Sequence, residues 1–326
     1  MPDRALTVAV TGPTGDIGRA LLRAAERDGR VGRILGMARR PFDPRALGLT
    51  KTEYRQGDVL DRAAIDALVA DADVVVHLAF VIVGDLDETR SVNLEGSRNV
   101  FAAAAAAPRA KRLVYTSSVA AYGFHGENPQ PLTEDAPARG SDAHYYSAQK
   151  AELEATLREA VAGSAIESYV LRPSIVAGGD ATFMIEVIPG LVRRLPFMRP
   201  VLPDPGVPFQ LVHQDDVATA LLAAIAGDGP PGAYNLAGAG ELTMADMAKA
   251  LGWFSVPVPR ASVDVTALLA RLPLVPAKAQ WLNAFRVPVV MDTTRAREQL
   301  GWMPEYDARD VLEQTVAAAR EAGLVK

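Results

Sequence analysis

The stretch ALTVAVTGPTGDIGRALLRAAERDG, residues 5 to 29, constrains the fold more tightly than any other part of the chain. Residues 5–10 form a short, valine-bearing apolar run of the kind that makes a buried strand, and Ala20, Leu21, Leu22 and Ala25 recur at the spacing of a helix's inner face. Between them stand Gly12, Gly15 and Gly18. A glycine turn joining a buried strand to a helix lets the backbone approach a pyrophosphate, while the helix N-terminus offers N–H groups and the positive end of its dipole. Gly12 then allows the tight turn, Gly15 the close approach and Gly18 the packing of helix on strand; Thr14, Asp16 and Ile17 line the same turn as further cofactor contacts. A plain strand–turn–helix without ligand has the same local pattern, so the rest of the chain must decide.

The rhythm continues. RILGMARR, TEYRQGDVLD, DADVVVHLAF, KRLVYTSS and IESYVLRPSIV are strand-like, with helical segments between them, which predicts an α/β protein with a Rossmann-type, doubly wound parallel sheet. Ligands gather at the carboxyl ends of such strands, where Asp58, Leu78, Ala79, Thr116, Ser117, Ser118 and Pro173 fall. Arg39 and Arg40 end the second strand about twenty residues past the last glycine, where a dinucleotide fold meets the ribose. An arginine there pairs with a 2′-phosphate, which favours NADP over NAD; two ordinary surface arginines are the alternative.

Composition narrows the function. With 326 residues, 49% hydrophobic and 22% charged, the chain can bury one large or two modest cores. A net charge of −5 with scattered Lys and Arg leaves no nucleic-acid footprint, and the absence of cysteine removes disulfides, thiolate metal sites and cysteine nucleophiles. No apolar stretch approaches the twenty or so residues that cross a bilayer, so a cytoplasmic protein without a membrane partner is expected. The six alanines at 102–107 extend a helix expected to begin near Leu94.

AHYYSAQK, residues 143–150, opens the next helix-forming segment. Tyr146 and Lys150 stand four apart and share a helix face, whereas Tyr145, five from the lysine, does not. A phenol beside an ammonium can serve as acid or base; a packed tyrosine and a solvated lysine are the ordinary alternative. His125 and His144 have no metal-ligand spacing, His77 and His213 read as hydrogen-bonded structural groups, and no metal is assigned. Asp215 and Asp216 are expected to cap the helix that continues as VATALLAAI.

In order along the chain, Thr11-Gly12-x-x-Gly15-x-x-Gly18, Gly57-Asp58-Val59, His77-Leu78-Ala79, Asn93-x-x-Gly96, Tyr115-Thr116-Ser117-Ser118, Tyr146-x-x-x-Lys150, Leu171-Arg172-Pro173, Val212-His213-Gln214-Asp215-Asp216-Val217, Tyr234-Asn235-Leu236 and Leu300-Gly301-Trp302-x-Pro304 resemble the extended short-chain dehydrogenases/reductases, the NAD-dependent epimerase/dehydratase type. The resemblance implies a Rossmann domain over 1–177 plus about 210–237, and a smaller C-terminal α/β substrate domain over 178–209 plus 238–326. It implies that Tyr146 is the general acid/base, that Lys150 holds the nicotinamide ribose and lowers the phenol pKa, and that Ser118 hydrogen-bonds the reacting oxygen. Asp58 and Val59 would contact adenine, Leu78 and Ala79 the ribose and pyrophosphate, with Thr116 and Pro173 beside the cofactor. Asn93 would support the sheet and a neighbouring loop. A homodimer paired through the helices near 94–107 and 146–162 is a further expectation.

Departures from the family pattern bear on the substrate. Phe209 stands where nucleotide-sugar epimerases of this type place a diphosphate-binding arginine, GGDATFM lacks the asparagine expected after the Arg-Pro strand, and Phe80 replaces a small residue after His-Leu-Ala. MIEVIPGLVRRLPFMRPVLPDPGVPF and VTALLARLPLVPAKAQWLNAF are apolar. The expectation is therefore an NAD(P)-dependent oxidoreductase acting on the alcohol or carbonyl of a small, fairly apolar molecule, with Phe80, Ser117 and Ser118 as candidate substrate contacts. A nucleotide-sugar epimerase/dehydratase is the first alternative, and a non-catalytic cofactor-binding regulator the second.

Overall fold

A computed structural model describes residues 5–82, 86–142, 144–182, 184–185, 201–259 and 287–325. The apolar stretch expected over 265–285, and residues 186–200 of the one before it, lie outside the described residues.

The opening run forms β1 (Leu6–Thr11), followed by α1 (Asp16–Arg27) and β2 (Val31–Ala38), then β3 (Thr52–Gln56), α2 (Arg62–Val69) and β4 (Val74–His77). With β5 (Arg112–Thr116), β6 (Glu167–Pro173) and β10 (Gly232–Leu236) they build a seven-stranded sheet in the order β10-β6-β5-β4-β1-β2-β3, and every pairing in it is parallel. The winding reverses between β1 and β4, and the crevice outside their carboxyl ends is where such sheets bind ligands. Strands buried on both faces need continuous apolar runs, and Val74, Val75 and Val76 supply one without alternation.

Helices cover both faces. On one, α1 packs with α6 (Gln214–Ala226), giving a core that includes Leu21, Leu22, Val217, Leu221 and Trp302. On the other, Ile65 of α2, Val100 and Phe101 of α4 (Gly96–Ala106), and Leu153 and Leu157 of α5 (Tyr145–Val161) meet Val75, Leu113 and Tyr115. The helix expected to start near Leu94 begins earlier, as α3 (Leu86–Arg90), and passes through a π-helical turn at Ser91–Glu95 before α4. Gly96 lies against Val59, whose Cγ2 would be 2.4 Å from an added Cβ, so a side chain there would push the helix off the sheet.

The remaining elements are β7 (Ile175–Ala177) paired with β9 (Leu211–His213), β8 (Val201–Asp204) paired with β11 (Phe254–Pro257), and the helices α7 (Met244–Leu251), α8 (Thr294–Gln299) and α9 (Ala308–Glu321). Leu202, Phe209, Met247, Leu251, Val311 and Leu312 form a separate apolar cluster among them. The expected aspartate caps on α6 are corrected here. His213 caps that helix, its Nδ1 accepting from the Asp215 N–H at 3.2 Å. Buried Asp216 instead accepts from the N–H groups of Glu305 (2.8 Å) and Tyr306 (3.3 Å), because its side chain points across to the C-terminal segment. Among the described residues no helix is long and apolar enough to cross a membrane, and no group of three His, Asp or Glu side chains could hold a metal.

Candidate active site

The glycine turn is built for close approach. Gly12 has φ +75°, and a Cβ on it would lie 2.7 Å from the Ala79 nitrogen, so the turns after β1 and β4 touch backbone to backbone. A Cβ on Gly18 would lie 2.4 Å from the Gly12 carbonyl oxygen. Gly15 differs: it is exposed, an added Cβ would meet nothing nearer than the Gly12 oxygen at 3.6 Å, and no side chain caps α1 in its place. An uncapped helix N-terminus facing open space fits an anionic phosphate. Around it, Arg19 donates to the Thr14 carbonyl and pairs with Asp16, both at 2.9 Å, which offsets the aspartate's charge; Ile17 packs onto the core.

Arg39 and Arg40 are exposed just beyond β2. Their backbone is fixed from β3, where the Tyr54 hydroxyl donates to the carbonyls of Ala38 and Arg40 and Gln56 Nε2 to that of Arg39 at 2.9 Å. Asp58 closes its own turn by accepting from the Leu60 N–H at 3.0 Å, and Val59 is buried. His77 joins Thr11 (2.7 Å) to Ser97 (2.8 Å), and full burial pushes its pKa down to about 3. It is therefore a neutral spacer between β1, β4 and α4. These residues fit a nicotinamide dinucleotide lying across the carboxyl edge of the sheet.

At the far side of that edge Tyr146, Lys150 and Ser118 come together. Ser147 donates to the Ala120 carbonyl at 2.6 Å, tying the first turn of α5 to the 3₁₀ turn Val119–Tyr122 that Ser118 caps. Tyr146 and Ser118 are thereby brought into hydrogen-bond contact, which lowers the phenol pKa, but burial outweighs it and pushes Tyr146 up to about 12. Lys150, 3% exposed, donates to the Thr116 carbonyl (2.9 Å) and the Tyr115 hydroxyl (3.3 Å), with its Nζ 4.0 Å above the Phe80 ring centroid. Burial pushes its pKa down to about 7, against the pull of Glu154. Desolvation is the main influence on the phenol, and Lys150 lies to one side of it: its Nζ is 5.8 Å from the Tyr146 ring centroid and 4.0 Å from that of Phe80. Phe80 also meets Tyr146 edge-on, with centroids 5.3 Å apart. Nearby, the buried hydroxyls of Thr116 and Ser174 have no hydrogen-bond partner among the described residues, and Pro173 ends β6.

The π turn bears Asn93. Its side chain accepts from the Val81 N–H (2.8 Å) and donates to the Val81 carbonyl and to Gln149 (both 2.9 Å), fixing the segment that presents Phe80 against α5. Ser117, expected as a substrate contact, has a buried hydroxyl that donates to Glu154 at 2.6 Å, whereas Ser118 meets Tyr146. Sequence reasoning missed Glu154 and its bidentate partner Arg172. The signal was present, since Glu154 continues the Tyr146–Lys150 face by one more four-residue step. Phe209 is 5% exposed inside an apolar cluster, where it cannot hold a diphosphate.

The sequence profile of the NAD dependent epimerase/dehydratase family matches residues 8–237. An uncharacterised protein of Sinorhizobium fredii is 26% identical over 318 residues, 95% of this chain and 77% of that one. An uncharacterised protein of Mycobacterium tuberculosis is 27% identical over 97% of this chain, which spans only 30% of its length. The N-acetyl-alpha-D-glucosaminyl-diphospho-ditrans,octacis-undecaprenol 4-epimerase of Escherichia coli O157:H7 is 31% identical over 176 residues, 52% of this chain and 49% of that one. Among solved structures, a short-chain dehydrogenase/reductase superfamily protein from Agrobacterium tumefaciens with bound NAD superposes with a TM-score of 0.74 at 23% identity, covering 97% of this chain and 98% of that one.

Proposed function

Because the chain belongs to the NAD-dependent epimerase/dehydratase family, a family of enzymes that use a nicotinamide dinucleotide, we propose that it is an NAD(P)-dependent reductase of the carbonyl of a small, fairly apolar substrate. The observation that carries this reading is Tyr146 held against Ser118 with the Phe80 ring edge-on to it. Burial raises the Tyr146 pKa, so the phenol carries its proton at neutral pH and has one to give to a carbonyl oxygen. Ser118 and Tyr146 hydrogen-bond the carbonyl oxygen, and Tyr146 gives that oxygen its proton as the carbon receives hydride. The phenolate left behind regains a proton from solvent. A bound nicotinamide supplies the hydride, and the protein orients it. Lys150 lies one helical turn from the phenol and, when protonated, favours that phenolate. Arg39 supplies the preference for NADP through its 2′-phosphate.

Nucleotide-sugar epimerisation is the second reading, favoured by the 31% identity to the Escherichia coli 4-epimerase over half of this chain and opposed by buried Phe209. The test is to denature purified protein, identify released nicotinamide by mass spectrometry, and titrate with NADH and NADPH. Empty protein that binds NADPH and reduces apolar ketones supports the reductase. Stoichiometric tightly held NAD, with turnover of a nucleotide sugar, overturns it in favour of the epimerase.

A further inference from the structure

We propose that Glu154 is a positioning residue of this site: it holds the segment bearing Ser117 and Ser118 against α5 and β6, and it supplies the one carboxylate that faces the buried Lys150. The proposal rests on the reading of Lys150 as part of the active site and goes beyond it by naming what makes a lysine in that place usable.

The geometry is specific. Glu154 is 2% exposed and takes three donors: Ser117 Oγ at 2.6 Å and Arg172 Nε at 3.0 Å on Oε1, and Arg172 Nη2 at 2.6 Å on Oε2. One carboxylate on α5 thereby joins the end of β5 to β6. Arg172 lies over the Tyr122 ring at 4.6 Å, and the Tyr122 hydroxyl donates to Asn235 of β10 at 2.7 Å, so the network crosses three strands and the helix. Removing a partner from such a buried network leaves an uncompensated charge.

Electrostatics give the network a second consequence. The groups that face Lys150 are Tyr146 and Glu154 on its own helix, Tyr115 from β5, His77 from β4 and the Phe80 ring, with Arg172 from β6 beyond Glu154. Glu154 is the one carboxylate in that set, and among the described residues Lys150 forms no ion pair. Burial alone drives the ammonium toward the neutral form, and Glu154 is the opposing influence. Ser117 and Arg172 donate to both oxygens of this carboxylate and fix it in place.

Titration of the lysines by NMR tests this without knowledge of the substrate. The sequence has six lysines, so protein carrying ¹³C at lysine Cε gives a countable set of signals, and Lys150→Met identifies the one from Lys150. In the wild-type protein that signal titrates far below the other five, near neutrality. Glu154→Gln moves its midpoint down by about one pH unit; Ser117→Ala, which leaves both charges in place, does not move it. Should Glu154→Gln fail to fold, Glu154→Gln/Arg172→Gln removes the unmatched arginine charge as well and still lowers the midpoint, by less, because the lost cation lies beyond the carboxylate. A folded variant of either kind in which Lys150 titrates as in the wild type overturns the proposal. If the midpoint moves but Lys150→Met leaves ketone reduction intact, the assignment of Lys150 to the active site fails while the coupling to Glu154 stands.

Discussion

Burial acts on Tyr146 and Lys150 in opposite senses, raising the phenol to about 12 and lowering the ammonium to about 7 although the two share one helix face. Two measurements follow at this scale. Tyr146→Phe removes the proton donor and keeps the ring, so ketone reduction should fall by about 10²–10⁴-fold while the NADPH dissociation constant changes little; retained turnover would assign the proton to another group. The lysine also makes stability depend on pH. Its folded pKa of about 7 lies below the unfolded value of 10.5, so between those limits the unfolded chain binds more protons and stability rises with pH, by at most about 1.4 kcal/mol per pH unit. Tyr146 works the other way only above pH 10, where its raised pKa makes the folded state hold the proton. Urea titrations from pH 7 to 10 should show a rise that Lys150→Met flattens. An unchanged slope in the variant would mean that Lys150 is solvated. That the tyrosine and lysine share one helix was legible from the helix-forming sequence around them. The direction of their shifts was not, because it depends on Phe80 covering the ammonium and on how much water the cleft admits, neither of which a one-dimensional pattern contains.

At the scale of elements, the glycine turn separates what holds the fold from what holds a ligand. Gly18→Ala places a methyl 2.4 Å from the Gly12 oxygen and should lower stability by about 1–3 kcal/mol, as overpacking does. Gly15→Ala meets only ordinary contact and has an extended backbone, so its stability loss should stay below about 1 kcal/mol while dinucleotide affinity drops at least tenfold. Chemical denaturation paired with NADPH titration separates the two. Equal losses in both variants would mean that the open face of Gly15 is not the phosphate site. The central strands of the parallel sheet were readable because fully buried strands need unbroken apolar runs, as in Val74-Val75-Val76, whereas edge strand β10 was not among the runs read as strands. Asp216 was misread for a physical reason: an aspartate in a first helical turn looks the same in sequence whether it bonds its own helix or, as here, the N–H groups of Glu305 and Tyr306, nearly ninety residues away. Asp216→Ala strands both donors and should cost about 1–3 kcal/mol in the same denaturation assay.

For the whole molecule, the proposed preference for NADP is tested at one end of β2. Backbone contacts from Tyr54 and Gln56 fix where Arg39 and Arg40 leave the strand, so the arginines are presented by a rigid neighbour and not by a free loop. A guanidinium carried on such a backbone can meet a 2′-phosphate through charge-assisted, bidentate bonds that a 2′-hydroxyl does not offer. Ligand that binds only the folded state stabilises it by RT ln(1 + [L]/Kd), about 2.7 kcal/mol at a hundredfold excess over Kd. For a chain of 326 residues that corresponds to a rise in Tm of roughly 4 °C. NADPH should therefore raise Tm more than NADH at equal concentration, Arg39→Glu should reverse the order by repelling the phosphate and accepting from the ribose hydroxyl, and the NADPH advantage should shrink as salt screens this exposed charge. Equal shifts with the two reduced cofactors, unchanged in Arg39→Glu, would show that β2 does not read the ribose and would leave NAD as the working cofactor.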